Sequence, residues 1–230
     1  MSSKIKSSLL NLLNEYIDTG GFPEVISEEK METKIKILNE YFELVVYRDI
    51  VDRYKLKNTE LVKWLIKSLI SSVSSEFSVH KIYQILKSKG IKASKNTLYS
   101  YMSIFQDSFF IFFVPKFSDS TRKREFSINK TYLCDIGFTK LIDSPLHQGK
   151  KMENAVFLEL KREGKEISYW KNQQQEEVDF VVKERDKAKH LIQVCYDPSD
   201  LDTKKRETRA LIKASKEVKC NNLAIITWDT

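Results

Sequence analysis

Residues 4–17 place Ile5, Leu9, Leu12, Leu13 and Tyr16 at helical spacing. Thr19-Gly20-Gly21-Phe22-Pro23 ends that helix, because paired glycines and a proline cannot continue it. A second helix over about 30–52 carries Ile35, Leu38, Tyr41, Phe42, Val45 and Val46 on one face. A third over about 58–74 carries Leu61, Trp64, Leu65, Leu69 and Ile70. Ser78 then caps a helix through Val79, Ile82, Tyr83, Ile85 and Leu86, and Lys89-Gly90-Ile91 breaks it. Ser94 caps the next, from Lys95 to about Gln106. Two apolar runs follow, Phe109–Val114 and a stretch through Tyr132 and Leu133. The polar turn Ser118–Arg124 separates them. Helix, short turn, helix and β-hairpin is the order of a winged helix-turn-helix, expected over 58–142.

Past a linker near 143–149 the period alternates between helical and strand-like. Lys150–Arg162 is helical; Ile167–Trp170, Val178–Val182 and Leu191–Tyr196 read as strands; Asp200 to about Val218 is a helix; Leu223–Trp228 is a last strand. The predicted class is α+β, a helical region followed by an α/β layer around a short mixed sheet over 150–230. The chain stops directly on its last strand, so a further tail is expected.

Composition adds direction. The 230 residues are 41% hydrophobic and 31% charged, ordinary for a globular protein, and 6 Gly with 4 Pro leave little room for disordered linkers. Net charge of +7, from 39 Lys and Arg against 32 Asp and Glu, favours an anionic partner such as DNA. Cys134, Cys195 and Cys220 form no CxxC pair and sit in apolar segments. They read as buried thiols of a reducing, cytoplasmic compartment. No apolar run reaches membrane-spanning length, and no secretory signal opens the chain. His80, His147 and His190 lack partners at zinc spacing, and no nucleophile stands beside a base.

Two groups of residues carry candidate chemistry. Lys95, Asn96, Thr97, Tyr99, Ser100 and Tyr101 open the second helix of the helix-turn-helix, where short donors and tyrosines reach base edges and phosphates. Arg122, Lys123 and Arg124 at the hairpin tip are expected on a flanking phosphate or in the minor groove. In the C-terminal part, Glu153, Asp179 and Gln193-Val194-Cys195 follow the order of a magnesium nuclease centre. Such a centre needs acidic oxygens for the hard cation and a lysine to steady developing charge. Strand alternation puts Gln193 and Cys195 on one face, so an amide and a thiol stand where a carboxylate and a lysine would work.

Several short motifs in order resemble the C-terminal half of a family of prokaryotic AAA-superfamily ATPases. They are Thr19-Gly20-Gly21-Phe22-Pro23-Glu24, Tyr47-Arg48-Asp49-Ile50, Tyr132-Leu133-Cys134-Asp135-Ile136-Gly137, Met152-Glu153-Asn154-Ala155-Val156-Phe157, Glu177-Val178-Asp179-Phe180 and Gln193-Val194-Cys195-Tyr196. The resemblance implies a lead-in segment over 1–57, a winged helix, and a PD-(D/E)xK nuclease-like domain, in an archaeal or bacterial protein. No Gly-x-x-x-x-Gly-Lys-[Ser/Thr] loop occurs, so the ATPase core is absent from this chain. Where relatives often carry Glu-Val-Lys, Gln193-Val194-Cys195 stands. Glu153 and Asp179 would hold magnesium only weakly, and losing the lysine removes about 3 kcal/mol of catalysis. Lys171 is the candidate displaced lysine.

The leading expectation is a non-enzymatic DNA-binding region without a cofactor, belonging with an ATPase domain or subunit. The alternatives are an active Mg²⁺-dependent endonuclease and a protein-interaction or oligomerising module.

Overall fold

A computed structural model describes residues 3–118, 120, 127–143, 145–185 and 187–228. The chain forms two compact units. One, here the helix-rich unit, comprises Asn11–Phe113 and Thr131–Leu146. The other, the sheet unit, comprises Met1–Leu10, Val114–Lys130 and His147–Thr230. The fold class is α+β, as the periodicities indicate.

The expected helices form with modest shifts at their ends: α1 Ser3–Thr19, α3 Met31–Leu44 and α4 Thr59–Ser71. Two elements escape the periodicity. A short helix α2, Pro23–Ser27, starts on the proline meant to end its predecessor, since a fixed φ suits the first helical turn. The second predicted helix changes hand-over from α to π winding at Val45–Asp52, which includes the Tyr47–Ile50 motif. There Val46 and Ile50 are buried, and Arg48 pairs with its neighbour Asp49.

Both serine caps are present. Ser78 accepts from the Lys81 N–H at the start of α5, Val79–Ser88, and Ser94 accepts from Thr97 N–H at the start of α6, Lys95–Asp107. Asn58 does the same for α4 through Leu61 N–H. Strands β1 Ser75–Phe77, β2 Ile111–Val114 and β3 Asn129–Leu133 form a sheet ordered β1-β3-β2. The boundary between units falls within β3, after Lys130. Ser72–Ser74 is tied to Thr131 twice: Thr131 Oγ1 donates to the Ser72 carbonyl at 2.7 Å, and its own carbonyl accepts from Ser74 N–H at 2.8 Å. The apolar stripes of α4, α5 and α6 pack Val62, Leu65, Leu69, Leu86, Leu98 and Phe105 into one core. Phe22, Phe42, Phe110 and Phe138 add edge-on and tilted ring contacts.

One knot in this unit joins two of the resembling motifs. Asp135 is buried; its Oδ2 accepts from Gly21 N–H at 2.8 Å and its Oδ1 from Gly137 N–H at 2.7 Å. Gly20 sits at φ +85°, and a Cβ there would lie 1.8 Å from Asp135 Oδ1. A Cβ on Gly137 would lie 2.4 Å from the Thr19 carbonyl oxygen. The glycines are therefore dictated by how closely two chain segments approach, beyond any role in ending α1.

In the sheet unit, β4 Glu166–Lys171, β5 Glu177–Glu184, β6 Lys187–Cys195 and β7 Leu223–Thr227 stand in sequence order. The first pairings are antiparallel and β6–β7 is parallel, which makes the sheet mixed as expected. A parallel return needs a crossover, supplied by α8, Leu201–Val218, capped by Asp200 through Asp202 and Thr203 N–H. Ala210, Leu211 and Ala214 of α8 pack on Trp170, Val178, Val181 and Leu191. Glu176 fastens the same helix, accepting from Arg209 at 2.8 Å and from Lys213 at 2.6 Å. These cations hold its carboxyl below the usual range, Lys213 first. Helix α7, Gln148–Arg162, precedes the sheet. Residues 115–117 run beside β4: Tyr169 N–H donates to the Pro115 carbonyl and Phe117 N–H to that of Tyr169. Val114–Lys130 thus groups with the C-terminal residues rather than with 58–113.

Candidate functional site

The sheet unit brings four charged side chains from three segments to one point. Glu153 comes from α7, Glu177 and Asp179 from β5, and Lys130 from the start of β3. The Lys130 ammonium stands 2.9 Å from Glu153 Oε1, 3.0 Å from Asp179 Oδ1 and 2.5 Å from Glu177 Oε1. Its side chain is 2% exposed, against 10% for Glu153, 9% for Asp179 and 26% for Glu177. The Tyr169 ring lies 5.8 Å from the same nitrogen, and its hydroxyl donates to the Ile128 carbonyl at 2.6 Å, fixing the strand that carries Lys130. Asp179 is held from its far side as well: Oδ2 accepts from Val194 N–H at 3.0 Å.

The expected pair, Glu153 and Asp179, does converge. Lys171, expected as the displaced lysine, stands 3.6 Å from Glu177 Oε2, and Lys130 touches both Glu153 and Asp179. Gln193 does not extend the acidic set: its Oε1 accepts from the Asp179 backbone N–H, and its Nε2 donates to Glu207 Oε2 at 2.7 Å. Cys195 turns to the Asp197 carbonyl at 3.5 Å. Burial, with Glu207 adding to it, pushes the thiol up, so it remains neutral and supplies no cation or ready thiolate. Lys130 and Glu177 escape sequence reasoning. Nothing in its spacing singles out Glu177 beside Asp179, and the only signal for Lys130 is a lone lysine heading an apolar strand.

The residues do not fit a divalent ion as arranged. Magnesium requires oxygens at about 2.0–2.1 Å, whereas these three surround a nitrogen at 2.5–3.0 Å. Among the described residues, no group of three or more His, Cys, Asp or Glu is placed to hold a metal ion.

The second candidate surface lies in the helix-rich unit. Lys81, Lys87, Lys89, Lys92 and Lys95 are all exposed, and no acidic residue occurs between Glu76 and Asp107. Asn96, Tyr99 and Ser100 are exposed on the opening of α6. Lys95 lies 5.4 Å from the Tyr83 ring and Lys89 5.4 Å from that of Trp64, so both stems rest on aromatic faces. Thr97 is half-buried and pairs with Ser94 Oγ at 2.8 Å. Tyr101 corrects the expectation: it is 8% exposed, packs against Phe105, and reaches only the wall of a cleft between α4, α5 and α6. Helical period is the reason, since position 101 falls on the face of Leu98 and Phe105. Arg122, Lys123 and Arg124 lie outside the described residues.

Two family models match parts of the chain. A model for a domain of unknown function, DUF4143, matches residues 148–228; that domain is typical of the C-terminus of AAA-ATPase-like proteins. An uncharacterised protein of Methanocaldococcus jannaschii is 36% identical over 229 residues, covering 97% of this chain and 51% of that protein. An uncharacterised protein of Haemophilus influenzae is 28% identical over 189 residues, 81% of this chain and 46% of its own length. The chain therefore spans about half the length of these curated relatives. No solved structure matches. Among the described residues, no helix is long and apolar enough to cross a membrane. A second model, for the domain of unknown function DUF8612, matches residues 10–143, more than half of the chain, and the chain belongs to that family.

Proposed function

We propose that this chain is a non-catalytic DNA-binding region that works beside an ATPase core. The observation that carries the reading is the acid-free run of five exposed lysines across α5 and α6, ending at an exposed polar helix start. Such a surface attracts phosphates by counterion release and can lay Asn96 and Tyr99 against base edges. The order α4, β1, α5, α6, β2, β3 supports a winged helix, with α6 as the reading helix. The partner is an ATPase because the matched C-terminal domain typically follows one and the relatives are about twice as long. In the sheet unit, Lys130 among the carboxylates supports a nuclease-like fold kept for binding or subunit contact.

Fluorescence anisotropy on labelled duplex tests this. Binding should weaken with salt, and changing Lys87, Lys89, Lys92 and Lys95 to glutamate should abolish it at moderate ionic strength. Equal affinity in the variant would sink the reading. The Mg²⁺-dependent endonuclease remains the second reading, because Glu153 and Asp179 do meet and a lysine stands with them. Plasmid cleavage with Mg²⁺ or Mn²⁺ that disappears in Asp179→Ala would favour it.

A further inference from the structure

We propose that the sheet unit holds a pocket for a phosphate group borne on a larger molecule, with the Trp170 indole N–H as its buried donor. The pocket encloses about 620 Å³ and is lined by Lys116, Ser127, Trp170, Asn172, Gln173 and Gln174, among others. Trp170 is 2% exposed, and among the described residues nothing accepts from its Nε1. An indole nitrogen donates only, and a buried donor without an acceptor is destabilising. The ligand that suits this pocket therefore brings an acceptor. Lys116 supplies charge, and among the described residues no carboxylate pairs with it. Lys171, also in the lining, stands 3.6 Å from Glu177. The acidic residue Glu217 is exposed near the end of α8, so it faces two ammonium groups. The amides of Gln173 and Gln174 add further donors.

Both walls are set by backbone hydrogen bonds. On one side Tyr169 N–H donates to the Pro115 carbonyl at 3.1 Å, and Lys116 N–H donates to Ser127 Oγ at 3.3 Å. On the other, Asn172 N–H donates to the Glu176 carbonyl at 3.0 Å, and Glu176 N–H donates to Asn172 Oδ1 at 2.9 Å. That turn presents Gln173 and Gln174, both exposed. Donors thus come from the segment 116–127, from β4 and from the β4–β5 turn, and the several oxygens of a phosphate answer them together. A lone oxyanion would leave most of the volume empty, and Phe117 in the lining offers an apolar surface to whatever carries the phosphate. The carrier is a nucleic-acid strand or a free nucleotide. The strand form rests on the DNA-binding reading and gives it a second anchor, in the other unit from α5 and α6.

The experiment follows the indole N–H signals of Trp64, Trp170 and Trp228 in ¹H–¹⁵N correlation spectra of the full chain. Trp170→Phe assigns the Trp170 signal; if that variant does not fold, Trp64→Phe and Trp228→Phe assign it by elimination. The probes are thymidine monophosphate, a short single-stranded oligothymidylate and, as the phosphate-free control, thymidine, all at constant ionic strength. Either phosphate-bearing probe should move the Trp170 signal downfield to saturation and leave Trp64 and Trp228 in place, while thymidine moves none of them. Lys116→Ala should weaken the response about tenfold. Saturation at lower concentration by oligothymidylate than by the monophosphate supports the strand as carrier, and the reverse order supports the free nucleotide. A Trp170 signal that neither phosphate probe moves would overturn the proposal. So would equal movement of all three signals, a thymidine response as strong as the monophosphate's, or an unchanged response in Lys116→Ala. Failure of the DNA-binding reading shows separately, as absent duplex binding by anisotropy, and leaves the monophosphate titration to report on the pocket.

Discussion

The two units use lysine in opposite ways. In the helix-rich unit, Lys81, Lys87, Lys89, Lys92 and Lys95 keep their charges in water, with no acidic neighbour along 77–106 to cancel them. In the sheet unit, Lys130 is withdrawn from water and consumed by three carboxylates. The first arrangement leaves a field that reaches about a Debye length, near 8–10 Å at moderate salt. The second leaves no positive field, because the carboxylates outnumber the ammonium, and its effect is on the fold. Net charge of +7 thus says little until one knows which lysines are already spent.

That contrast yields a graded set of expectations. The largest effect should come from Lys130→Met, which strands buried carboxylates and should cost about 3–5 kcal/mol in denaturant unfolding. A loss under 1 kcal/mol would show the cluster to be open to water. Next is the knot of the helix-rich unit: Asp135→Ala removes acceptors for Gly21 and Gly137 N–H and should cost about 3 kcal/mol. Gly20→Ala should destabilise as well, because its Cβ has no space and its φ is +85°.

The surface lysines should behave differently. Replacing Lys87, Lys89, Lys92 and Lys95 singly with alanine should change stability by under about 0.5 kcal/mol. Each should lower the slope of log affinity against log salt by about 1 if it meets a phosphate. A lysine whose loss leaves the slope unchanged is outside the footprint. Ser94→Ala, which uncaps α6, should cost about 1 kcal/mol and weaken DNA binding by loosening that helix's first turn.

The smallest effect concerns pH. Glu176 has its carboxyl held below the ordinary range by Lys213, Asn172 and Arg209. Its contribution is therefore present above the unfolded glutamate value and lost as pH falls through the lower folded one. Glu176→Gln should flatten the acid limb of stability against pH, read by thermal melts between neutral and acid pH. An unchanged limb would show that the contacts with α8 are too solvated to matter. Cys134 sits at the other extreme, pushed up to about 12 by burial and the neighbouring Asp135, so it should resist thiol reagents until the unit unfolds.

Local pattern carried much of the fold. Helical spacing, the serine caps at Ser78 and Ser94, the aspartate cap at Asp200 and the strand runs all lie within a few residues of each other along the chain. Their physics is correspondingly local. Glu153 and Asp179 were legible because motif order marks them. Tyr101 has the residue type of a base or phosphate contact, but helical phase turns it to the buried face of Leu98 and Phe105. The π-wound stretch at Val45–Asp52 left no mark in the periodicity, since buried Val46 and Ile50 fit either winding.

Tertiary structure decided the rest, and the reason is distance along the chain. Lys130 lies 23 residues from Glu153 and 49 from Asp179, and Gly21 lies 114 from Asp135. The sequence by itself determined the elements, the excess of positive charge and two acidic positions of the cluster. Only the folded chain determined which cation those carboxylates face, that Gln193 and Cys195 turn elsewhere, and why Gly20 and Gly137 carry no side chain. Pairings of that kind depend on the close approach of segments that no local period encodes.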